Sequence, residues 1–233
     1  MKIIHASDLH IGESPIVYSQ LEKAIEEINK EKADLILITG DITHNGIHEE
    51  FEIAREYLKK FKNFLAVPGN HDSQNVGYEK FEKFINKRNF AKKIKGINII
   101  GIDSTEPDLD EGHVGRDKYS WIEKNIKSFS IVMMHHHIIP VPGSGRERHT
   151  ITDAGDFLKL ITDKKTNLVL CGHKHTCNLW NLNETKILNT STLSSIRTRG
   201  VGRGYNVIEL DRNKIKSVEF KSLDSWCKNK RLF

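Results

Sequence analysis

A chain of 233 residues is long enough to bury an α/β core without disulfides or a structural metal, and a single domain spanning 1–233 is the expectation. Lys and Arg number 36 against 31 Asp and Glu; the net charge of +5 is scattered along the chain, which excludes a charged tail and points mildly to anionic substrates. Cys171, Cys177 and Cys227 are odd in number without Cys-x-x-Cys spacing, which argues against an exported disulfide framework; with no signal-peptide pattern and no run of ~18 apolar residues, a cytoplasmic protein away from the membrane is expected.

Ile3-Ile4 opens a buried strand. Ser14 then stands as an N-cap with Pro15 just inside a helix whose one face carries Val17, Leu21, Ala24, Ile25 and Ile28. Leu35 to Ile38 is a second strand, followed by a helix with Ile47, Phe51, Ala54, Leu58 and Phe61 on one face. Further buried strands fall at Phe64 to Val67, Ile97 to Ile102, Ile131 to Met134 and Leu168 to Leu170. Asp117 and Asp153 start two helices between them, one with Tyr119, Ile122 and Ile126 and the other with Phe157, Leu158 and Ile161. After Gly172 the runs at 178–182, 186–189, 205–210 and 215–220 follow without helical intervals and read as antiparallel strands. A β-α-β first half with a β-rich second half makes a layered α/β sandwich in which one sheet covers the other.

Five apolar strands each run into metal-ligand chemistry: Asp8-Leu9-His10, Gly40-Asp41, Gly69-Asn70-His71-Asp72, His135-His136-His137 and Gly172-His173-Lys174-His175. A lone Gly-Asp is an ordinary turn and Asn-His-Asp ordinary loop polarity, but five such clusters at five strand ends are improbable as accidents. Carboxyl ends of strands in α/β sheets form the crevice where ligands bind, so the clusters should converge. Imidazoles and carboxylates suit divalent first-row ions, and these donors suffice for two. Two ions ~3.5–4 Å apart clamp a phosphoryl group and activate water, and they need a bridging carboxylate. Asp41, alone after its strand, is the best candidate for that bridge.

Taken together, Asp8-x-His10, Gly40-Asp41, Gly69-Asn70-His71-Asp72, His135 and Gly172-His173-x-His175 resemble the five signature motifs of the calcineurin-like metallophosphoesterases, in the family's order. The resemblance implies a four-layer α-β-β-α sandwich of two mixed sheets flanked by helices. It implies one metal on Asp8, His10, Asp41 and His175 and another on Asp41, Asn70, His135 and His173. Two divalent ions are expected, Mn²⁺ foremost, with Fe, Zn, Co and Ni also suited to these donors. His71 holds the place of the family's catalytic histidine, with Asp72 either orienting its ring or serving as a cap or turn residue. Only one ligand is expected from the histidine triplet; His135 is the choice over His136, which would then contact substrate or back a ligand, while His137 points away. His5 reads as core, and His44, His48 and His113 as solvated loops.

Arg146 and Arg148, in a glycine-bearing loop directly after the triplet, are candidate phosphate contacts, with a solvated charged loop as the bland alternative. Arg197, Arg199 and Arg203 form a second basic loop that either faces the same cleft or balances charge. No Walker sequence occurs, and Gly200-x-Gly202-x-Gly204 and Ser225-x-x-Lys228 lack the context of the motifs they imitate. The expected activity is that of a phosphodiesterase on a nucleotide or short nucleic acid, similar to class III cyclic nucleotide phosphodiesterases. A repair-type nuclease, whose opening Ser-Asp-Leu-His resembles Ser7 to His10, a phosphomonoesterase and a non-catalytic metal-holding scaffold are the alternatives. A homodimer is compatible with the sequence.

Overall fold

The computed structural model describes residues 1–233. In chain order the elements are β1 (Lys2–Ala6), α1 (Pro15–Lys30), β2 (Leu35–Thr39), α2 (His48–Leu58), β3 (Phe64–Val67), α3 (Gly77–Phe84), β4 (Phe90–Ile94), β5 (Ile97–Gly101), α4 (Arg116–Asn125), β6 (Ser130–Met133), α5 (Ala154–Asp163), β7 (Leu168–Cys171), β8 (Asn178–Leu182), β9 (Thr185–Asn189), β10 (Gly204–Asp211), β11 (Lys214–Ser222) and β12 (Lys230–Arg231). They form two six-stranded mixed sheets, ordered β12-β11-β10-β1-β2-β3 and β4-β5-β6-β7-β9-β8.

Side-chain alternation along the strands explains why the central ones are apolar throughout. Ile3, Leu35, Leu37 and Val67 of the first sheet meet Ile99, Ile131, Met133 and Leu170 of the second between the sheets. Their neighbours Ile4, Ile36, Ile38 and Ala66 turn outward under Leu21, Ile25, Phe51 and Leu58 of α1 and α2. On the far side Ile100, Val132 and Val169 pack beneath Ile122, Phe157 and Ile161 of α4 and α5. Three apolar seams thus join four layers, helix, sheet, sheet, helix, as expected.

The C-terminal run departs from the expectation. β8 pairs β9 and β10 pairs β11 antiparallel, but β9 also lies parallel to β7, extending the β5-β6-β7 set. β10 crosses to the other sheet and pairs antiparallel with β1. Residues after 177 therefore contribute strands to both sheets.

Of the expected helix starts, Ser14 and Asp153 hold N-cap positions and Asp117 does not. Ser14 occupies the N-cap of α1, yet makes no capping hydrogen bond. Ile47 precedes α2 and is 37% exposed, and Phe61 is buried beyond that helix's end. Asp117 lies inside the first turn of α4, not before it. Asp153 does precede α5, but its carboxylate accepts the N–H groups of Val114 and Gly115 and the Tyr119 hydroxyl, joining α5 to the start of α4. No helix is long and apolar enough to cross a membrane.

Candidate metal centre and cleft

β1, β2 and β3 run parallel in one sheet, β6 and β7 in the other, and the five clusters follow their carboxyl ends. Asp8, His10 and His175 bring one donor atom each within 4.8 Å of one another, and Asp41, His135 and His173 do the same. Asp41 Oδ2 lies between the groups, 3.6 Å from His10 Nε2 and 3.3 Å from His135 Nε2. Asn70 Oδ1 is 3.1 Å from both His135 Nε2 and His173 Nδ1, while its amide donates to Asp110 Oδ1 at 3.1 Å.

The backbone of these loops is unusual. Asp8, His10, Asp41, His173 and His175 all have left-handed φ, between 48° and 67°. Such a conformation costs about 1–2 kcal/mol per non-glycine residue and persists only where the surroundings over-determine it. The surroundings here are hydroxyls: Thr192 Oγ1 donates to the Asp8 carbonyl, Ser194 Oγ to Leu9 and Ser191 Oγ to His175. Close approach needs glycine at two places. A Cβ on Gly69 would sit 2.1 Å from Asp41 Oδ1, and one on Gly172 would sit 1.9 Å from Ser7 Oγ.

Tautomers follow from carbonyl partners, because a carbonyl oxygen only accepts. His135 Nδ1 donates to the Thr39 carbonyl at 2.7 Å and His175 Nδ1 to that of Arg197, which turns each Nε2 toward the carboxylates. Burial holds His10 and His173 well below the usual imidazole range, so they are neutral. For His135, burial is outweighed by the adjacent Asp41 carboxylate, and its pKa rises to about 9. Asp8 Oδ1 is buried without a hydrogen-bond partner, 3.2 Å from His175 Nε2. At His175 burial is likewise outweighed by Asp8, which raises its pKa, so in each group a carboxylate holds positive charge at an imidazole Nε2; with the neutral His10 and His173 rings and the orphaned Asp8 oxygen, this fits a divalent cation in each group.

His71 lines the cleft, with Nδ1 donating to the His44 carbonyl at 2.6 Å. Asp72 does not touch that ring. Its carboxylate accepts from the N–H groups of Ile42, Thr43 and Gly69 and from the Thr43 hydroxyl, tying the loop after β2 to the loop after β3. The expectation that Asp72 orients His71 is therefore replaced by a role in holding the loops.

In the triplet, His135 faces Asp41 and Asn70, whereas both ring nitrogens of His136 are occupied. His136 Nε2 donates to the Asp110 carbonyl at 3.1 Å, and its Nδ1 takes the Ser104 hydroxyl at 2.9 Å. Buried and so engaged, His136 is not a substrate contact; it backs the site. His137 does not point away: it stacks on His173 and bonds Glu147 Oε1 at 2.6 Å, pinning the basic loop. His44, expected in solvent, lies beside His10 with Nδ1 atoms 3.3 Å apart. His5 is core, as expected, bonded to Thr39 Oγ1 at 3.0 Å.

Above the donors opens a cleft of about 400 Å³ with no hydrophobic side chain in its lining. Arg146 and Arg148 line it, and so do Arg197, Arg199, Lys174, His149 and Asp110. Arg203 instead pairs with Asp224. Asp110 was not legible as a site residue, since it stands in no distinctive pattern, and Lys174 is the unmarked position of Gly172-His173-x-His175.

Two facing groups of oxygen and nitrogen donors, joined by one carboxylate at the floor of a basic cleft, define a dinuclear phosphoester-hydrolase centre. Residues 1–177 match the calcineurin-like phosphoesterase family, and the chain belongs to it. It is 28% identical over 204 residues to a probable glycerophosphodiester phosphodiesterase of Arcobacter nitrofigilis, across 78% of this chain and 75% of that protein. It is 25% identical over 240 residues to a probable cyclic nucleotide phosphodiesterase of Xenorhabdus bovienii, across 90% of this chain and 95% of that one. A dimetal phosphatase from Danio rerio shares the fold, with a TM-score of 0.76 at 9% identity over 100% of this chain and 98% of that one. The chain is a metal-dependent hydrolase of phosphate esters.

Proposed function

We propose that the chain is a phosphodiesterase acting on a nucleotide or short nucleic acid, with one divalent ion held by Asp8, His10, Asp41 and His175 and a second by Asp41, Asn70, His135 and His173. The observation that carries this reading is the position of Asp41 Oδ2 within 3.6 Å of a histidine nitrogen from each group. Mn²⁺ is the proposed ion, since mixed carboxylate, amide and imidazole donors suit it. When bound, the pair supplies Lewis acidity toward the phosphoryl oxygens and an activated water.

The chain's own residues do the rest. His71, its Nδ1 proton fixed on the His44 carbonyl, carries a second proton on Nε2 in its imidazolium form, to be delivered to the leaving oxygen or to stabilise charge on the phosphorus oxygens. Arg146 and Arg148 bind phosphate oxygens. The relatives named above support diester over monoester hydrolysis. Because residues after 177 complete both sheets, the whole chain acts as one catalytic domain, and its three free cysteines suit the cytoplasm. The test is hydrolysis of bis-p-nitrophenyl phosphate with added Mn²⁺: Asp41→Ala and Asn70→Ala should each abolish it, and wild-type turnover in either variant would overturn the mechanism.

A further inference from the structure

We propose that the physiological substrate carries at least one phosphate besides the one that is cleaved: the cleft takes an oligonucleotide through its backbone, with a neighbouring phosphate held by arginines. The inference rests on the preceding reading and narrows its substrate class.

Two loops supply the arginines. Arg146 and Arg148 come from the segment between β6 and α5, and Arg197 and Arg199 from the segment between β9 and β10. Arg199 Nη1 donates to the Ser144 carbonyl at 2.7 Å, joining the loops into one wall. Glu147, between the first two arginines, is turned down onto His137 at 2.6 Å and Thr150 at 3.1 Å, while Arg146 and Arg148 face the cleft.

Arginines with a structural purpose in this chain have carboxylate partners: Arg88 with Asp103 at 2.8 Å, Arg116 with Asp156 at 2.6 Å, and Arg203 with Asp224. Arg146, Arg148 and Arg199 make no ion pair within 4.0 Å, although all three border one cleft. The lining holds four arginines and Lys174 against the carboxylates of Asp41 and Asp110, with Arg197 also held by Glu13 at 3.4 Å; guanidinium groups in such surplus repel one another, and a shared anion relieves that repulsion while using their paired donors.

Charge decides how much anion is needed. A phosphodiester brings one negative charge, and two divalent ions set against Asp8 and Asp41 already leave positive charge to meet it. For a cyclic mononucleotide or a simple glycerol diester the arginine wall would have nothing to neutralise. A second phosphate on the adjacent nucleotide gives it a partner. No hydrophobic residue lines the cleft, and its guanidinium and ammonium groups favour recognition through the backbone with weak dependence on base sequence.

The test compares dithymidine monophosphate with and without a 5′-phosphate, using Mn²⁺-loaded wild-type protein and bis-p-nitrophenyl phosphate as the control ester. The 5′-phosphate should raise kcat/KM at least about ten-fold, mainly through KM, and this preference should shrink as salt rises from about 50 to about 200 mM. Arg148→Gln and Arg199→Gln should each lower the preference ratio. Metal-free protein in EDTA should bind the 5′-phosphorylated form more tightly by fluorescence anisotropy, a readout independent of turnover. Equal kcat/KM for the two dinucleotides, with the control ester still hydrolysed, overturns this inference alone. Failure to hydrolyse the control ester or any of the diesters overturns the phosphodiesterase reading and this inference with it.

Discussion

The carbonyl oxygen of His44 accepts the Nδ1 proton of His71 at 2.6 Å, and the two imidazoles stack with centroids 5.0 Å apart. The same His44 presents its ring nitrogen to Nδ1 of His10. One residue thus steadies the proposed general acid through its backbone and a proposed ligand through its side chain. Partial burial keeps His44 below the usual imidazole range, so it is neutral and able to accept a hydrogen bond from the His10 ring.

His44→Ala should therefore separate the two duties. The carbonyl survives and His71 keeps its anchor, while His10 loses the partner that fixes its tautomer. Metal affinity should fall about ten-fold or more, as for other residues that orient a ligand, and His44→Gln should restore part of it. Metal titration by isothermal calorimetry reads the change directly; unaltered affinity in the alanine variant would refute the positioning role.

His71→Ala should leave metal content intact. The rate of diester hydrolysis should drop by about 10²- to 10⁴-fold, the span attributed to a positioned proton donor. Metal analysis alongside steady-state kinetics checks both halves, and loss of metal together with activity would mean that His71 supports the centre instead of the proton transfer.

Gly69→Ala tests the close approach of two loops. The added methyl would lie 2.1 Å from Asp41 Oδ1 and 2.4 Å from the Asp41 backbone nitrogen, so it cannot be absorbed by rotating a flexible side chain. The expected result is a folded protein, by circular dichroism, with hydrolysis reduced more than about 100-fold as the reacting groups are displaced. Activity near wild type would show that the bridging carboxylate tolerates displacement.

Asp153 offers a pH signature away from the metal centre. Burial favours its neutral form, but hydrogen bonds from Val114, Gly115 and Tyr119 outweigh that and hold its pKa below the ordinary 3.8. A depressed carboxyl stabilises the fold fully above its unfolded pKa and loses that contribution as pH falls through the folded value. Asp153→Asn should thus cost about 1 kcal/mol at pH 7, a value discounted because the site is partly open to solvent, and progressively less as the pH falls below the ordinary carboxylate range. Urea denaturation across a falling pH series measures the difference.

Most of the architecture was legible because buried parallel strands leave continuous apolar runs, and five of the six such runs here end in donor chemistry. Leu35 to Thr39 and Leu168 to Cys171 are buried along their whole length, which made them visible. β4 was not, since Ala91, Lys92 and Lys93 are exposed on a sheet edge and carry no apolar signal. α3 buries only Gly77 and Phe81, too little to show a helical period. In the site, the convergence of Asp8, Asp41, Asn70 and His173 was readable from strand ends alone. For His136 the backing role was one of two open readings, whereas the duties of His44 and Glu147 were not readable, because each depends on a partner distant in sequence or on a carbonyl that any residue could supply.

The left-handed backbone at Asp8, His10, Asp41, His173 and His175 gathers conformational cost on this floor. At about 1 kcal/mol apiece, the five residues together approach the whole net stability of an ordinary domain. Catalytic capacity and thermal robustness are thus set against each other at these positions. A glycine in place of His10 or His175 would relax the chain, so such variants should be inactive yet melt at a higher temperature than the metal-free parent. Directed evolution for heat resistance without selection for turnover would be expected to erase the centre first.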